Sequence, residues 1–159
     1  MKKATISIIS LLILCLMVSS VSAQIELPEV KITGLRNVPA KVDAAFQSTF
    51  KDGQDPVWYN ANKNFLVKFI NNDMKSNALF RKNGNMVYNI SYGYEKDLPD
   101  DVSTLVKNKY DDYNVVVAFN VKQDNRDVWI VNLENEKANV TARVEDGVLD
   151  EASRTRKRP

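Results

Sequence analysis

The chain has 159 residues, with 22 Lys and Arg against 20 Asp and Glu, no histidine and a single cysteine, Cys15. Without an imidazole, and with its only thiol in the first apolar stretch, it excludes Ser-His-Asp and Cys-His triads and zinc sites built on Cys or His. The net charge of +2 depends on Lys2 and Lys3, and without these two the remaining 20 basic residues match the acidic ones. A nucleic-acid partner is therefore not expected, because such a binder shows an excess of basic residues on one face.

Lys2 and Lys3 precede an apolar run from Ile6 to Val18 that ends in Val21-Ser22-Ala23. That pattern predicts a secretory signal peptide over 1–23, cut before Gln24. The run is shorter than the roughly 20 residues a membrane span needs, so no stable membrane insertion is expected after cleavage. Leu14 is bulky for a lipoprotein cleavage site, and Cys15 lies deep in the run. About 136 residues then remain without any disulfide, enough for one domain to bury most of its unfolded surface. Residues 24–38 read as an extended leader in which Val30 and Ile32 add an edge strand.

The first helix is predicted from Pro39 to about Phe50, since Pro suits a first helical position and Val42, Ala45, Phe46 and Phe50 recur at three- and four-residue spacings. Lys51 to Pro56 then reads as a breaker. The period next changes to two. Strands are predicted at Val57–Asn60, Asn64–Asn71, Ser76–Arg81 and Met86–Ser91, with hairpin turns at Asn62-Lys63, Asn71–Lys75 and Asn83–Asn85. Connections this short require antiparallel pairing.

Leu98-Pro99 introduces a second helix whose stripe is Val102, Leu105, Val106 and Tyr110. Asn114–Lys122 follows as a strand with Val115, Val117, Phe119 and Val121 assigned to one face. Further strands are expected at Val128–Leu133, Ala138–Val144 and Val148-Leu149. Residues 151–159, with Arg154, Arg156, Lys157 and Arg158, read as a frayed basic tail. The order helix, four strands, helix, four strands predicts an α+β fold. It is read as a tandem repeat of a helix plus an antiparallel four-stranded meander, about 39–94 and 98–150. With no linker between the halves, the strands are expected to join into one curved sheet with the helices on one face.

The segments VDAAFQSTF, VWY, NFLVKF, NG, LP, KNKYDDY, VWIVNL and DGVL, in that order, resemble the secreted PepSY-like family, whose members look like the beta-lactamase-inhibitor protein. The resemblance covers about Pro39 to Asp150, and departs from the pattern where Trp129 stands in place of a Tyr. It implies the same duplicated architecture, a location outside the cytoplasm and no enzymatic role. Lactamase inhibition itself is only a structural analogy.

Phe65, Val67, Phe69, Trp129, Val131 and Leu133 are in phase and are expected to face the helices as core. The candidate binding residues are Trp58, Tyr59, Tyr88, Tyr92 and Tyr94, with Lys68 and Arg81 beside them, because Tyr and Trp bring large contact area with few rotors. For Trp58 the bland alternative is packing under the first helix. For the tyrosines it is covering sheet edges. The carboxylate pairs Asp100-Asp101, Asp111-Asp112 and Glu134 with Glu136 lack the cleft geometry of glycosidases and the spacing of calcium loops. Asp100 and Asp101 instead suit the start of a helix. The sequence thus points to a secreted or periplasmic binding module for a protein or peptide, with no cofactor and no metal. The alternatives are a carboxylate-only envelope enzyme such as a glycan hydrolase, or a structural envelope protein acting through its basic tail.

Overall fold

The computed structural model describes residues 32–158; the signal peptide expected over 1–23 and Val30 lie outside them. The fold is α+β, with nine antiparallel strands in one sheet whose order follows the chain from β1 to β9. The strands are β1 (Ile32–Gly34), β2 (Gln54–Ala61), β3 (Asn64–Asn71), β4 (Met74–Arg81), β5 (Met86–Gly93), β6 (Asn114–Gln123), β7 (Arg126–Glu134), β8 (Ala138–Glu145) and β9 (Val148–Arg156). Helix α1 (Ala40–Thr49) precedes β2, and α2 (Asp100–Lys109) precedes β6. A short 3-10 turn at Glu95–Asp97 leads into α2.

Turn chemistry sets these boundaries. Asn72 (φ 49°) with Asp73 (φ 60°), and Asp146 (φ 51°) with Gly147 (φ 74°), hold the two consecutive positive φ angles that match a tight hairpin to strand twist. Pro39 and Pro99 stand immediately before the helices, and Asp100 and Asp101 place negative charge at the positive end of the α2 dipole. Lys51 to Pro56 stops α1 as expected, but β2 already begins at Gln54 within it. Asp55 takes φ 51° and the register shifts between Gln54 and Val57, so a bulge absorbs Pro56 within β2.

The pairing register puts both helices on the same side of the sheet. Phe69 pairs with Ser76, Ser76 with Ser91, Ser91 with Asn120, Asn120 with Trp129 and Trp129 with Val144, and paired residues share a face. One end of this row packs under α1 and the other under α2. The first core gathers Val42, Phe46 and Phe50 of α1 onto Trp58, Val67, Phe69, Ala78 and Phe80. The second gathers Val102, Val106 and Tyr110 onto Ala118, Trp129, Val131, Leu133, Val140, Ala142 and Val144. Phe65 packs half-buried beside the first core. Burying one such large side chain stabilises the fold by about 1.5–3 kcal/mol.

Two expectations are corrected. Val115, Val117, Phe119 and Val121 do not share a face: a register shift between Val115 and Val117 leaves Val116 as the extra, exposed residue. Val115 packs with the α2 core, whereas Phe119 meets Tyr92 on the opposite face and Ala118 and Asn120 turn inward. The frayed basic tail is instead strand β9 through Arg156. Beyond Leu149 it is largely polar and offers no alternation by which to recognise it, and its pairing with β8 holds it in place.

Candidate functional site

The face of the sheet away from the helices carries no covering element among the described residues. On β2 to β5 its cross-strand rows are Tyr59–Leu66–Leu79–Tyr88, Val57–Lys68–Asn77–Ile90 and Ile70–Lys75–Tyr92, as the register requires. This places Tyr59, Lys68, Tyr88 and Tyr92 together on one surface. Arg81, at the end of β4 and paired with Asn64, lies on the same face. The Lys68 ammonium sits 5.3 Å from the centre of the Tyr59 ring. The Asn77 amide donates to the Tyr92 hydroxyl at 3.3 Å, and the Tyr92 ring meets Phe119 edge-on at 5.4 Å. Burial, and then the neighbouring Tyr92, push the Tyr88 phenol above its ordinary pKa.

Two expected residues fall elsewhere. Trp58 is 8% exposed and points to the helix side, where its ring lies 5.5 Å from Phe46 and 6.2 Å from Phe80. It is core and not a contact residue, because alternation along β2 sends it to the face opposite Val57 and Tyr59. Tyr94, 63% exposed, follows the end of β5, and its backbone N–H donates to Asp97 at 2.8 Å.

The structure adds Val57, Ile70 and Lys75, which sequence reasoning missed, beside the expected Tyr92. Val57 (52% exposed), Ile70, Lys75 and Tyr92 surround an open depression of about 530 Å³ that also takes in Asp55, Lys68 and Asn77. The signal was present in NFLVKFIN, where Leu66, Lys68 and Ile70 occupy the phase opposite the core set. Lys68, Lys75 and Arg81 form no ion pair among the described residues, whereas on β6 to β9 the cations of the same face are answered. There Arg126 makes paired hydrogen bonds to Glu145 at 2.6 and 2.9 Å, and Arg143 reaches Asp150 at 2.9 Å.

The basic strand β9 is also partly neutralised internally. Arg154 donates twice to Glu151 (2.9 and 2.7 Å) and once to the Tyr113 hydroxyl (2.6 Å), and Tyr110 donates to Glu151 at 3.1 Å. Hydrogen bonds from Arg154 first, and from Tyr110, hold the Glu151 carboxyl down to about 2. Burial first, and the bond to Glu151, push the Tyr110 phenol up to about 12. Among the described residues no group of three His, Cys, Asp or Glu side chains is placed to hold a metal ion. No helix among them is long and apolar enough to cross a membrane.

No protein-family model matches the chain, and no curated protein matches it. Solved structures do. A BLIP-like protein (beta-lactamase-inhibitor-protein-like) from Bacteroides fragilis superposes with a TM-score of 0.58 at 14% identity, over 76% of this chain and 87% of its own. The chain has the BLIP-like fold. A DUF2874 family protein from Bacteroides uniformis gives a TM-score of 0.55 at 14% identity, covering 76% of this chain and 90% of that one. A Bacteroides eggerthii protein provisionally assigned to the periplasm gives 0.54 at 11% identity, over 76% and 89%. At these identities it is the architecture that is shared; the BLIP-like part of the resemblance read from the sequence holds at that level.

Proposed function

We propose that the protein is a non-enzymatic binding module of the periplasm or the extracellular space. The open face of β2 to β5 would hold a protein or peptide partner that presents carboxylates beside apolar side chains. One observation carries this reading: Lys68, Lys75 and Arg81 form no ion pair among the described residues, and Lys68 and Lys75 stand among exposed Val57, Ile70 and Tyr92. Cations left unanswered next to desolvatable apolar surface favour an acidic, partly apolar partner, and aromatic side chains serve as anchors. Inhibition of that partner is the mode of action that the name of the B. fragilis neighbour suggests. The reading includes export through the 1–23 signal and a PepSY-like tandem duplication behind the order of helices and strands.

The test is capture from envelope extract on immobilised residues 24–159, at low and at high salt. Lys68→Glu with Lys75→Glu is expected to weaken a salt-sensitive capture about tenfold, whereas Arg126→Ala leaves it unchanged. Capture that ignores both lysines sinks the proposal. So does turnover of a glycan or peptide by the purified chain that disappears when one carboxylate is changed.

A further inference from the structure

The helix side of the sheet contains a second, chemically different feature. Between the two apolar cores, the inward-facing positions of β4, β5 and β6 are polar: Ser76, Asn89, Ser91 and Asn120 are all buried. Asn89, Ser91 and Asn120 form the floor under a cavity of about 350 Å³ that opens between α1 and α2, with Phe50, Met74 and Trp129 as apolar walls and Asp97, Lys122 and Asp127 among its charged lining. Lys122 and Asp127 pair at 3.2 Å, and Asp127 also accepts from the Asn120 amide.

The floor is not internally satisfied. Ser76 and Ser91 share a hydrogen bond at 2.8 Å, and the Asn89 amide nitrogen donates to Ser91 at 3.2 Å. Asn89, 3% exposed, is left with an Oδ1 that has no donor within the protein. Turning the amide over moves the problem to its nitrogen, so one end stays unpaired in either orientation. A buried polar group without a partner is a standing cost to folding, and such a group calls for an explanation. A sheet position between two apolar cores accepts Val or Ala readily, as Ala78 beside it on β4 demonstrates.

We propose that this cleft is a binding site for a small neutral ligand rich in hydroxyl groups, of the size of a monosaccharide. Hydroxyls both donate and accept, so they satisfy the Asn89 amide in either orientation and reach Asn120 as well. One ammonium, Lys122, against two carboxylates, Asp97 and Asp127, gives no net attraction to a free anion. The Trp129 indole, Phe50 and Met74 offer apolar surface to the C–H face of a ring. Convergent polar groups beside a few apolar walls suit a polar small ligand, and the volume falls within the usual range for small-ligand sites. Seating a hydroxyl takes a small rotation of Asn89, whose amide is tied only to Ser91.

The experiment is an NMR titration of 15N-labelled residues 24–159 with N-acetylglucosamine, glucose and myo-inositol, with inorganic phosphate as the contrast. At least one polyol is expected to shift the side-chain amides of Asn89 and Asn120 and the Trp129 indole N–H saturably, and phosphate is not. Asn89→Val is expected to weaken that binding at least tenfold while raising Tm by about 3–6 °C, because the unpaired amide is gone. Lys68→Glu, on the opposite face, is expected to leave the titration unchanged, which separates this site from the partner surface proposed above. The proposal is overturned if no polyol shifts these signals by 50 mM, if phosphate shifts them equally, or if Asn89→Val binds as well as the wild type. A fall in Tm for Asn89→Val would make the amide purely structural and would overturn it equally.

Discussion

The two halves of the molecule share one layering and differ in what they leave unanswered. On the open face of β6 to β9, Arg126 and Arg143 are met by Glu145 and Asp150, so that surface resembles an ordinary solvated sheet. On β2 to β5 the equivalent face leaves Lys68, Lys75 and Arg81 without an ion pair among the described residues and exposes Val57, Ile70 and Tyr92. The cores differ too. Under α1 five aromatic rings, Phe46, Phe50, Trp58, Phe69 and Phe80, contact one another in a chain, whereas under α2 the buried side chains of β6 to β8 are aliphatic apart from Trp129. The difference teaches that a common scaffold fixes where the faces are and the side chains decide which face is available to a partner.

The hardest tests strike the two cores. Phe46→Ala and Trp129→Ala should each cost about 3–5 kcal/mol in denaturant unfolding, as truncations of buried aromatics. A loss below about 1 kcal/mol at Trp129 would move it to the surface and undo the assignment of faces in the second half. Next come the paired hairpin glycines. Gly84 has φ 91°, and a Cβ there would stand 2.9 Å from the Lys41 carbonyl oxygen in α1, whereas Gly147 has φ 74° and open space. Gly84→Ala should cost roughly 2–3 kcal/mol and Gly147→Ala about 1 kcal/mol, both from the left-handed backbone and the former also from the clash. Equal losses would mean that the β4–β5 turn does not seat α1.

An alkaline titration sharpens the comparison at the end of α2. The Tyr110 phenol is pushed up to about 12, so the neutral form is favoured in the folded protein and its contribution is fully present below the unfolded value of 10.0. That contribution is lost as pH rises from 10 to about 12. Tyr110→Phe should abolish this alkaline loss, read by circular dichroism; an unchanged pH profile would detach β9 from α2. The smallest effect is expected on the surface, where Arg143→Ala should change stability by no more than about 0.5 kcal/mol, since exposed ion pairs contribute little. A much larger loss would make the neutralised face a structural element and not a solvated one.

The sequence determined the helices, the places of all nine strands, though only the start of β9, and most turns, because each rests on local signals. These are Pro before a helix, Asn, Asp or Gly where φ must be positive, and apolar residues at periods of 3.6 or two. It also placed Tyr59, Lys68, Tyr88 and Tyr92 among the candidates, and of the two readings of Trp58, packing under the first helix is the one that holds, as its alternation with Tyr59 requires. Three features were decided only by tertiary structure. The bulge at Val116 reverses the phase of β6, and no composition marks a bulge. Beyond Leu149, strand β9 continues to Arg156 through its hydrogen bonds to β8, with no apolar pattern of its own. The buried Ser76, Asn89, Ser91 and Asn120 belong to three strands, and only the register brings them to one floor. Local chemistry specifies elements one at a time, whereas a surface or a cleft is a property of residues that pairing alone makes neighbours.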